Sequence, residues 1–339
     1  MTHDRTLSPR PACRRLLGVR VVATGSYVPD AVVNNDHLRQ RLGCDSEWII
    51  KRTGILERRH ALPHQATSDL CYEAALRCLA KTDVNPKDID LLLVGTFTPD
   101  MGFPATACLV QDRLKLTCPA VDLQAACAGF MYALVTGAAY VLSGVSKLAL
   151  VIGGDCNSRI INPTDLKTYP LFGDGAGSVL LAPGRPDQGL VSYSLGADGG
   201  GGDLLSRPAC GSRLPPTCEL LAKNLHYLQM DGRAVFRWAV GILVDTIQDV
   251  LRAADLTVDD VDLFIPHQAN IRIVNAMDVL DIPRSKVFVN LDRYGNTSAG
   301  SIPLALDEAV AEGRVKPGSL IMLSGFGAGL AWGTALMRW

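Results

Sequence analysis

The chain has 339 residues, of which 48% are hydrophobic and 20% are charged. Values this close to the globular average argue against a disordered or fibrous chain, and the length suffices for two ordinary domains. The 33 basic and 34 acidic residues leave a formal net charge of −1, so no overall field favours nucleic acid or an anionic membrane. We therefore expect neither of these partners.

The N-terminal segment, residues 1–17, contains no apolar stretch of signal-peptide length, and we expect it to be a short mobile extension. No apolar run in the chain reaches the ~18–20 residues that span a bilayer. The ten cysteines are too few for a disulfide scaffold and include no CxxC pair, which is typical of free thiols in a reducing compartment. These features together predict a cytoplasmic protein.

Beyond the extension, short apolar runs without polar alternation are separated by helical patterns. Such runs are typical of strands buried on both faces, and their alternation with helices predicts a layered α/β fold. The predicted strands lie at 91–96, 148–154, 263–267 and 320–325, and the predicted helices at 68–81, 129–143, 233–254 and 303–312.

The chain also repeats itself at one spacing. Three pairs of segments that share this spacing favour a duplicated α/β fold over two unrelated domains, with a division between residues 185 and 186. Residues 84–96 match 256–268, residues 146–155 match 318–327, and residues 19–29 match 190–200 after a one-residue slip.

Cys127 lies where a strand-like segment meets an apolar helical pattern that begins at Gly129. The N–H groups and dipole at a helix N-terminus favour an anion by about 1 kcal/mol, which assists thiolate formation. Small neighbouring residues let a substrate carbonyl approach and leave backbone N–H groups to bind an oxyanion. The alternative is a buried packing cysteine, which is our interpretation of the other nine.

Two polar residues in the second half are further candidates. His267 directly follows a predicted buried strand, at the rim where α/β proteins build their sites, although a surface histidine is the alternative. Asn296 follows Gly295, where a tight turn would aim its amide inward, although an ordinary Asn turn or N-cap is the default. Neither signal decides the function alone.

The segments around these three residues closely resemble β-ketoacyl-acyl-carrier-protein synthase III, a family of thiolase-like condensing enzymes that starts bacterial fatty acid synthesis. The resemblance runs from Gly18 to Trp339. It implies an acyltransferase with a duplicated thiolase-like fold of α-β-α-β-α layers and no metal or redox cofactor. Three further segments also match the family, namely SEWIIKRTGILERR (46–59), LFGDGAGSVLL (171–181) and SGFGAGLAWGTALMRW (324–339).

The resemblance implies a two-stage reaction. Cys127 matches the family's nucleophile, which accepts an acetyl or other short acyl group from coenzyme A. His267 and Asn296 match the pair that promotes loss of carbon dioxide from malonyl-acyl carrier protein. The resulting carbanion attacks the acyl group on Cys127 and gives a 3-ketoacyl product.

The resemblance also implies contacts around the site. Trp48 and Arg52 match the coenzyme A entrance, and Phe103 matches a residue that closes the acyl pocket of the neighbouring subunit, so a homodimer is expected. Phe326 matches an aromatic residue beside the nucleophile, and the N–H of Ala328 matches part of an oxyanion hole.

The contacts with the carrier protein are less closely matched. The helix after Arg272 lacks a lysine pair that related enzymes offer to the acidic carrier protein, and Leu166 replaces an arginine near the adenine site. The candidates for carrier contact are Arg233, Arg237, Gln268 and Arg272.

Three other functions agree with parts of this pattern. A related condensing enzyme or acyltransferase of secondary metabolism would use the same three residues with a different acyl donor. A papain-like hydrolase also combines Cys, His and Asn, but such enzymes are often exported and disulfide-bonded. A non-catalytic scaffold that binds coenzyme A would have no need of all three reactive residues.

Overall fold

The computed structural model describes residues 10–339, and most of its strands belong to two five-stranded sheets. The four strands predicted from apolar runs are present as β5, β7, β12 and β13. The strands are β1 (Arg14–Leu17), β2 (Val19–Tyr27), β3 (Val32–Asn34), β4 (Glu57–Arg59), β5 (Leu91–Gly95), β6 (Ala120–Leu123), β7 (Ala149–Asp155), β8 (Gly175–Pro183), β9 (Gly189–Ala197), β10 (Leu205–Ser206), β11 (Gln229–Met230), β12 (Leu263–Pro266), β13 (Leu320–Gly327) and β14 (Ala331–Arg338).

The four predicted helices are also present, as α3, α5, α7 and α10. Cys71 and Cys78 are fully buried on α3, which fits their seven-residue spacing. Within residues 10–339, no helix has both the length and the apolar composition needed to cross a membrane. The helices are α1 (Asn35–Leu42), α2 (Ser46–Thr53), α3 (Thr67–Leu79), α4 (Thr106–Arg113), α5 (Gly129–Leu142), α6 (Cys218–Ala222), α7 (Gly232–Ala253), α8 (Ile271–Asn275), α9 (Leu291–Tyr294) and α10 (Ser301–Ala311).

The two large sheets share one topology. The first has the order β2-β8-β7-β5-β6, and the second has the order β1-β9-β14-β13-β12, so four strands recur in the same sequence of neighbours. The β5–β7 and β12–β13 pairs are parallel, whereas the β7–β8 and β13–β14 pairs are antiparallel. A parallel bridge between Phe264 and Val287 takes the place of β6 in the second sheet. The duplication predicted from the repeat is therefore confirmed.

Helices fill three layers around these sheets. Helices α5 and α10 pack against strands of both sheets and form the central layer, while α3 covers the first sheet and α7 covers the second. The order of layers is α-β-α-β-α, as the thiolase-like fold requires. The predicted division at residues 185 and 186 falls in the turn between β8 and β9.

The N-terminal segment differs from its prediction. Residues 1–9 lie outside the described part of the chain, but Arg14–Leu17 form β1, which pairs with β9 at the edge of the second sheet. The Arg10 guanidinium also forms ion pairs with Asp245 at 2.8 Å and Asp249 at 2.6 Å on α7. Where a mobile extension was expected, Arg14–Leu17 are a strand of the second sheet and Arg10 is paired to α7, because β9 offers the chain an unpaired edge.

Glycines allow the central helices to approach the strand ends. A Cβ atom at Gly95, the last residue of β5, would lie 2.5 Å from the carbonyl carbon of Gly129 at the start of α5. A Cβ atom at Gly153 on β7 would lie 2.4 Å from the carbonyl oxygen of Ala299. A side chain at either position would collide with the backbone. The two glycines therefore allow the start of α5 and the 298–300 turn to come together at one edge of the first sheet.

Candidate active site

Cys127, His267 and Asn296 all line one cavity of about 670 Å³, which we call the inner cavity. Cys127 comes from the first half of the chain, whereas His267 and Asn296 come from the second. The inner cavity is therefore built where the two halves meet, and its lining is mostly apolar. Phe97, Leu171, Trp238 and Phe326 are among its walls.

Cys127 sits on a 3-10 turn, Ala126–Ala128, that leads directly into α5. Ala126 has a φ of +45°, a left-handed conformation that L-residues adopt at a cost. A Cβ atom at Gly327 would lie 2.7 Å from the backbone nitrogen of Cys127, so β13 presses closely on this turn. The turn that carries the nucleophile candidate is therefore closely packed against β13.

The thiol of Cys127 is buried, with 6% of the residue exposed. Burial raises the pKa of Cys127 to about 12, and the nearby charge of Asp155 acts in the same direction. The Ser298 hydroxyl opposes this shift by donating a hydrogen bond to Cys127 Sγ at 3.1 Å. Desolvation outweighs the ~1 kcal/mol that a helix N-terminus supplies, so the resting group is a thiol.

His267 follows β12 immediately, and only 1% of it is exposed. Its backbone N–H donates to the carbonyl of Ser324 at 2.7 Å, which fixes it beside β13. Burial lowers the pKa of His267 to about 3, so its imidazole is neutral. Nδ1 is buried and has no hydrogen-bond partner within residues 10–339, and Nε2 is therefore the ring nitrogen left to meet a ligand.

Asn296 is fixed by its backbone and by its side chain. Its N–H donates to the carbonyl of Leu171 at 2.8 Å, and its own carbonyl accepts from the N–H of Gly173 at 3.0 Å. Its Oδ1 accepts the backbone N–H of Ser298 at 2.8 Å. Because the amide oxygen is engaged, the Nδ2 group is the part of Asn296 available as a donor to a ligand.

Phe326 and Ala328 also line the inner cavity. The ring of Phe326 meets the imidazole of His267 edge-on, with centroids 5.2 Å apart and an interplanar angle of 69°. Ala328 follows Gly327, the residue packed on Cys127, and so lies beside the nucleophile. Both residues therefore line the same cavity as Cys127.

A second cavity of about 1080 Å³, the outer cavity, is lined by both Trp48 and Arg52. The Arg52 guanidinium lies 4.5 Å from the centroid of the Trp48 ring, and 39% of Trp48 is exposed. Arg233 and Arg272 line the same cavity. The outer and inner cavities share part of their lining, and therefore adjoin, at Leu171, Met230, Gly232 and Asn270.

Three of the expected contact residues lie elsewhere. Phe103 is 88% exposed and Arg237 is an exposed residue of α7, and neither lines the described cavities. Gln268 is only 1% exposed. Its Nε2 donates to the carbonyl of Phe288, while its Oε1 accepts the N–H groups of Asn290 and Leu291. The prediction that Gln268 contacts a carrier protein is therefore wrong, because its polar atoms are used inside the fold.

Sequence reasoning missed two polar residues at the site, Ser298 and Asp155. Asp155 is fully buried at the end of β7, where its Oδ2 accepts the N–H of Ala299 at 3.0 Å. A polar residue at the end of an apolar strand was the signal that singled out His267, and the same signal applied to Asp155. Ser298 stood only two residues beyond Asn296, but nothing in the sequence placed it against Cys127.

Two repeated halves with Cys127, His267 and Asn296 at their junction define a thiolase-like condensing enzyme. Residues 121–199 match the 3-oxoacyl-[acyl-carrier-protein] synthase III family, and residues 251–339 match the C-terminal region of that family. The chain belongs to the β-ketoacyl-[acyl-carrier-protein] synthase III family, as its similarity to the following proteins shows.

The β-ketoacyl-[acyl-carrier-protein] synthase III of Rhodopirellula baltica is 55% identical over 96% of this chain and 99% of its own. The enzyme of the same name from Desulfitobacterium hafniense is 49% identical over 96% of this chain and 98% of its own. The crystal structure of the Thermus thermophilus enzyme superimposes with a TM-score of 0.88 at 40% identity, covering 94% of this chain and 98% of its own.

Proposed function

We propose that this acyltransferase joins a short acyl group, such as acetyl, from coenzyme A to malonyl-acyl carrier protein through a thioester on Cys127. The observation that carries the proposal is that Cys127, His267 and Asn296 line one buried cavity next to an aromatic and cationic outer cavity. The product is a 3-ketoacyl thioester, and the reaction starts fatty acid synthesis.

The first half-reaction is acyl transfer to Cys127. The sulfur, after losing its proton, attacks the carbonyl carbon of the acyl-coenzyme A, and the bond from that carbon to the coenzyme A sulfur breaks. Coenzyme A leaves with a proton, so charge balances. The N–H groups of Cys127 and Ala328 are the proposed donors to the oxyanion that forms in between.

The second half-reaction is decarboxylation followed by carbon–carbon bond formation. As malonyl loses carbon dioxide, negative charge develops on its thioester oxygen, to which His267 Nε2 and Asn296 Nδ2 donate. Each such donor is worth about 3 kcal/mol when well aimed. Because Nδ1 has no acceptor among the described residues, we place the imidazole proton on Nε2. The enolate carbon then attacks the acyl carbonyl and expels the Cys127 sulfur as a thiolate, which takes up a proton from solvent to return to the resting thiol.

The burial of His267 supports this role and argues against a hydrolase of the papain type. Such an enzyme needs an imidazole that takes the proton of the cysteine, and so becomes charged. Here burial lowers the pKa of His267 to about 3. The Cys127 sulfur accepts a hydrogen bond from the Ser298 hydroxyl and is not paired with the imidazole. A neutral donor suits decarboxylation, in which no proton need be taken up by the ring.

The outer cavity supports the proposed substrates. The exposed indole of Trp48 offers a stacking surface for an adenine, and the guanidinium groups of Arg52, Arg233 and Arg272 suit phosphates. These cations also suit an acidic carrier protein. The exposure of Phe103 agrees with a homodimer in which this ring reaches the neighbouring subunit's site. We propose a cytoplasmic enzyme whose steps use its own side chains and no metal or redox cofactor.

The proposal is tested by intact protein mass after incubation with a panel of acyl-coenzyme A donors. We expect acetyl-coenzyme A to add one acetyl group to the wild type and none to Cys127→Ser, since a serine hydroxyl without a base is a far weaker nucleophile. An adduct formed only from aryl or long-chain donors would favour a condensing enzyme of secondary metabolism. No adduct from any donor would favour a non-catalytic scaffold.

A further inference from the structure

The hydroxyl of Ser298 has no part in the two half-reactions described above, yet it touches the reacting sulfur. Its Oγ donates to Cys127 Sγ at 3.1 Å, and both residues are buried. Among the side chains of residues 10–339, it is the one hydrogen-bond donor that the sulfur meets. The contact joins the two halves of the fold.

Ser298 is held in a conformation that it would not adopt freely. Its φ of +54° lies in the left-handed region, where a non-glycine residue persists only if its surroundings impose the geometry. Two hydrogen bonds impose it: the Ser298 N–H donates to Asn296 Oδ1 at 2.8 Å, and the Ala299 N–H donates to Asp155 Oδ2 at 3.0 Å.

Asp155 is itself firmly anchored. Its other oxygen, Oδ1, accepts from the hydroxyls of Thr96 and Thr98 and from the N–H groups of Phe97 and Thr98, at 2.8 to 3.2 Å. The turn that carries Ser298 is therefore tied to the ends of β5 and β7. These hydrogen bonds fix the backbone from which the Ser298 hydroxyl projects.

The site needs such a donor because little else there stabilises a negative sulfur. Asp155 faces Cys127 from β7 and acts against the thiolate, and His267, from the segment after β12, is neutral. A buried charge without a hydrogen-bond partner is costly. Further help comes from the backbone N–H of Cys127 itself, which lowers the pKa of the thiol, and from the N-terminal end of α5, which is worth about 1 kcal/mol.

We propose that the Ser298 hydroxyl orients the Cys127 sulfur and stabilises its negative charge, both when it attacks the acyl donor and when condensation expels it. Asn296 then has two roles, since Oδ1 holds Ser298 while Nδ2 serves the malonyl group. This inference rests on the proposed function, because it assigns Ser298 a part in the same acyl transfer.

The test compares the rate at which iodoacetamide alkylates Cys127 between pH 7 and 10 in the wild type, Ser298→Gly and Ser298→Ala. The sulfur displaces iodide, and the rate is followed by mass spectrometry of the Cys127 peptide because the chain has ten cysteines. Glycine tolerates the positive φ, so Ser298→Gly removes the hydroxyl without backbone strain. Ser178→Ala, which removes a buried hydroxyl that donates to the carbonyl of Ala74, is the matched control.

Loss of one hydrogen bond to a charged group should raise the pKa of Cys127 by about one unit. Because a more basic thiolate is intrinsically more reactive, we expect the alkylation rate at a given pH to fall by only about threefold. Both Ser298 variants should show this fall, and the whole profile of rate against pH should move to higher pH. Ser178→Ala should keep the wild-type profile. Acylation by acetyl-coenzyme A should slow by a similar factor.

Unchanged profiles in both Ser298 variants would overturn the inference, and so would an equal displacement in Ser178→Ala. Because alkylation needs no natural substrate, its result is separate from the test of the proposed function. If no acyl-coenzyme A modifies the wild type, the proposed function fails whatever the alkylation profiles show.

Discussion

The inner and outer cavities adjoin, but they are built on opposite principles. In the inner cavity Cys127 and His267 are almost completely buried, and burial shifts both of their pKa values toward the neutral forms. In the outer cavity Trp48 is well exposed, and Arg52, Arg233 and Arg272 are exposed residues as well. The comparison teaches that the proposed chemistry relies on desolvation and fixed donors, whereas the proposed recognition relies on exposed charges that salt can screen.

The largest effect should come from removing a fixed donor in the inner cavity. Asn296→Ala should slow release of carbon dioxide from malonyl-acyl carrier protein by about 100- to 1000-fold, because one donor to the developing enolate is lost. Acylation of Cys127 should persist but slow by a few-fold, because Asn296 Oδ1 also holds Ser298. Carbon dioxide release and protein mass measure the two half-reactions separately.

Asn290→Ala is the matched control for this substitution. Asn290 is as buried as Asn296, but it does not line the inner cavity, and its side-chain amide donates to Glu308. We expect this variant to decarboxylate at nearly the wild-type rate even if it is less stable. Wild-type decarboxylation by Asn296→Ala would remove Asn296 from the proposed reaction.

The burial of His267 predicts a dependence of stability on pH. The unfolded chain takes up a proton on this residue below its ordinary pKa of 6.5, whereas the folded protein does so only near 3. Stability should therefore fall as the pH is lowered from 6.5 toward 3. At pH 5 the free energy of unfolding should be about 2 kcal/mol lower than at neutral pH, because each pH unit below 6.5 costs about 1.36 kcal/mol.

Urea unfolding of the wild type and His267→Gln at pH 7 and pH 5 checks this prediction. The wild type should lose more stability than the variant between the two pH values, and the difference isolates His267 from the other histidines. Equal losses in the two proteins would mean that the imidazole titrates near its ordinary pKa, and the contrast between the cavities would weaken.

The smallest effects should come from the exposed charges. Arg272 lines the outer cavity together with Trp48 and Arg52, whereas Arg237 lies outside both cavities. Arg272→Glu should raise the KM of both acyl-coenzyme A and malonyl-acyl carrier protein, and Arg237→Glu should raise only the latter. Because exposed ion pairs contribute about 0.2–1 kcal/mol, we expect changes of roughly 1.5- to 5-fold.

Salt provides the control for this pair of variants. The Debye length falls from ~10 Å at 0.1 M to ~3 Å at 1 M, so the differences from wild type should shrink as salt is added. If Arg237→Glu leaves the KM for malonyl-acyl carrier protein unchanged at low salt, α7 has no part in carrier docking. If Arg272→Glu affects neither substrate, the outer cavity is not their entrance.

Local sequence patterns by themselves determined the main secondary-structure elements, the duplication of the fold and the three candidate site residues. Apolar runs and helical periodicity predicted the main strands and helices, because a strand buried on both faces has to be apolar throughout. The repeat between 84–96 and 256–268 predicted the duplicated fold, and the neighbours of Cys127, His267 and Asn296 marked these three residues as candidates. Each of these signals can be read from short segments of the chain without knowing which segments are in contact.

Only the tertiary structure decided how the remaining residues are used, because burial and long-range contacts are not written in any one segment. Gln268 stands next to His267 in the sequence, yet its side chain is hydrogen-bonded to the backbone around Asn290. Arg14–Leu17 became a strand because β9 had a free edge. Ser298 met Cys127 because glycines on neighbouring strands let two distant turns approach, and burial keeps the imidazole of His267 neutral.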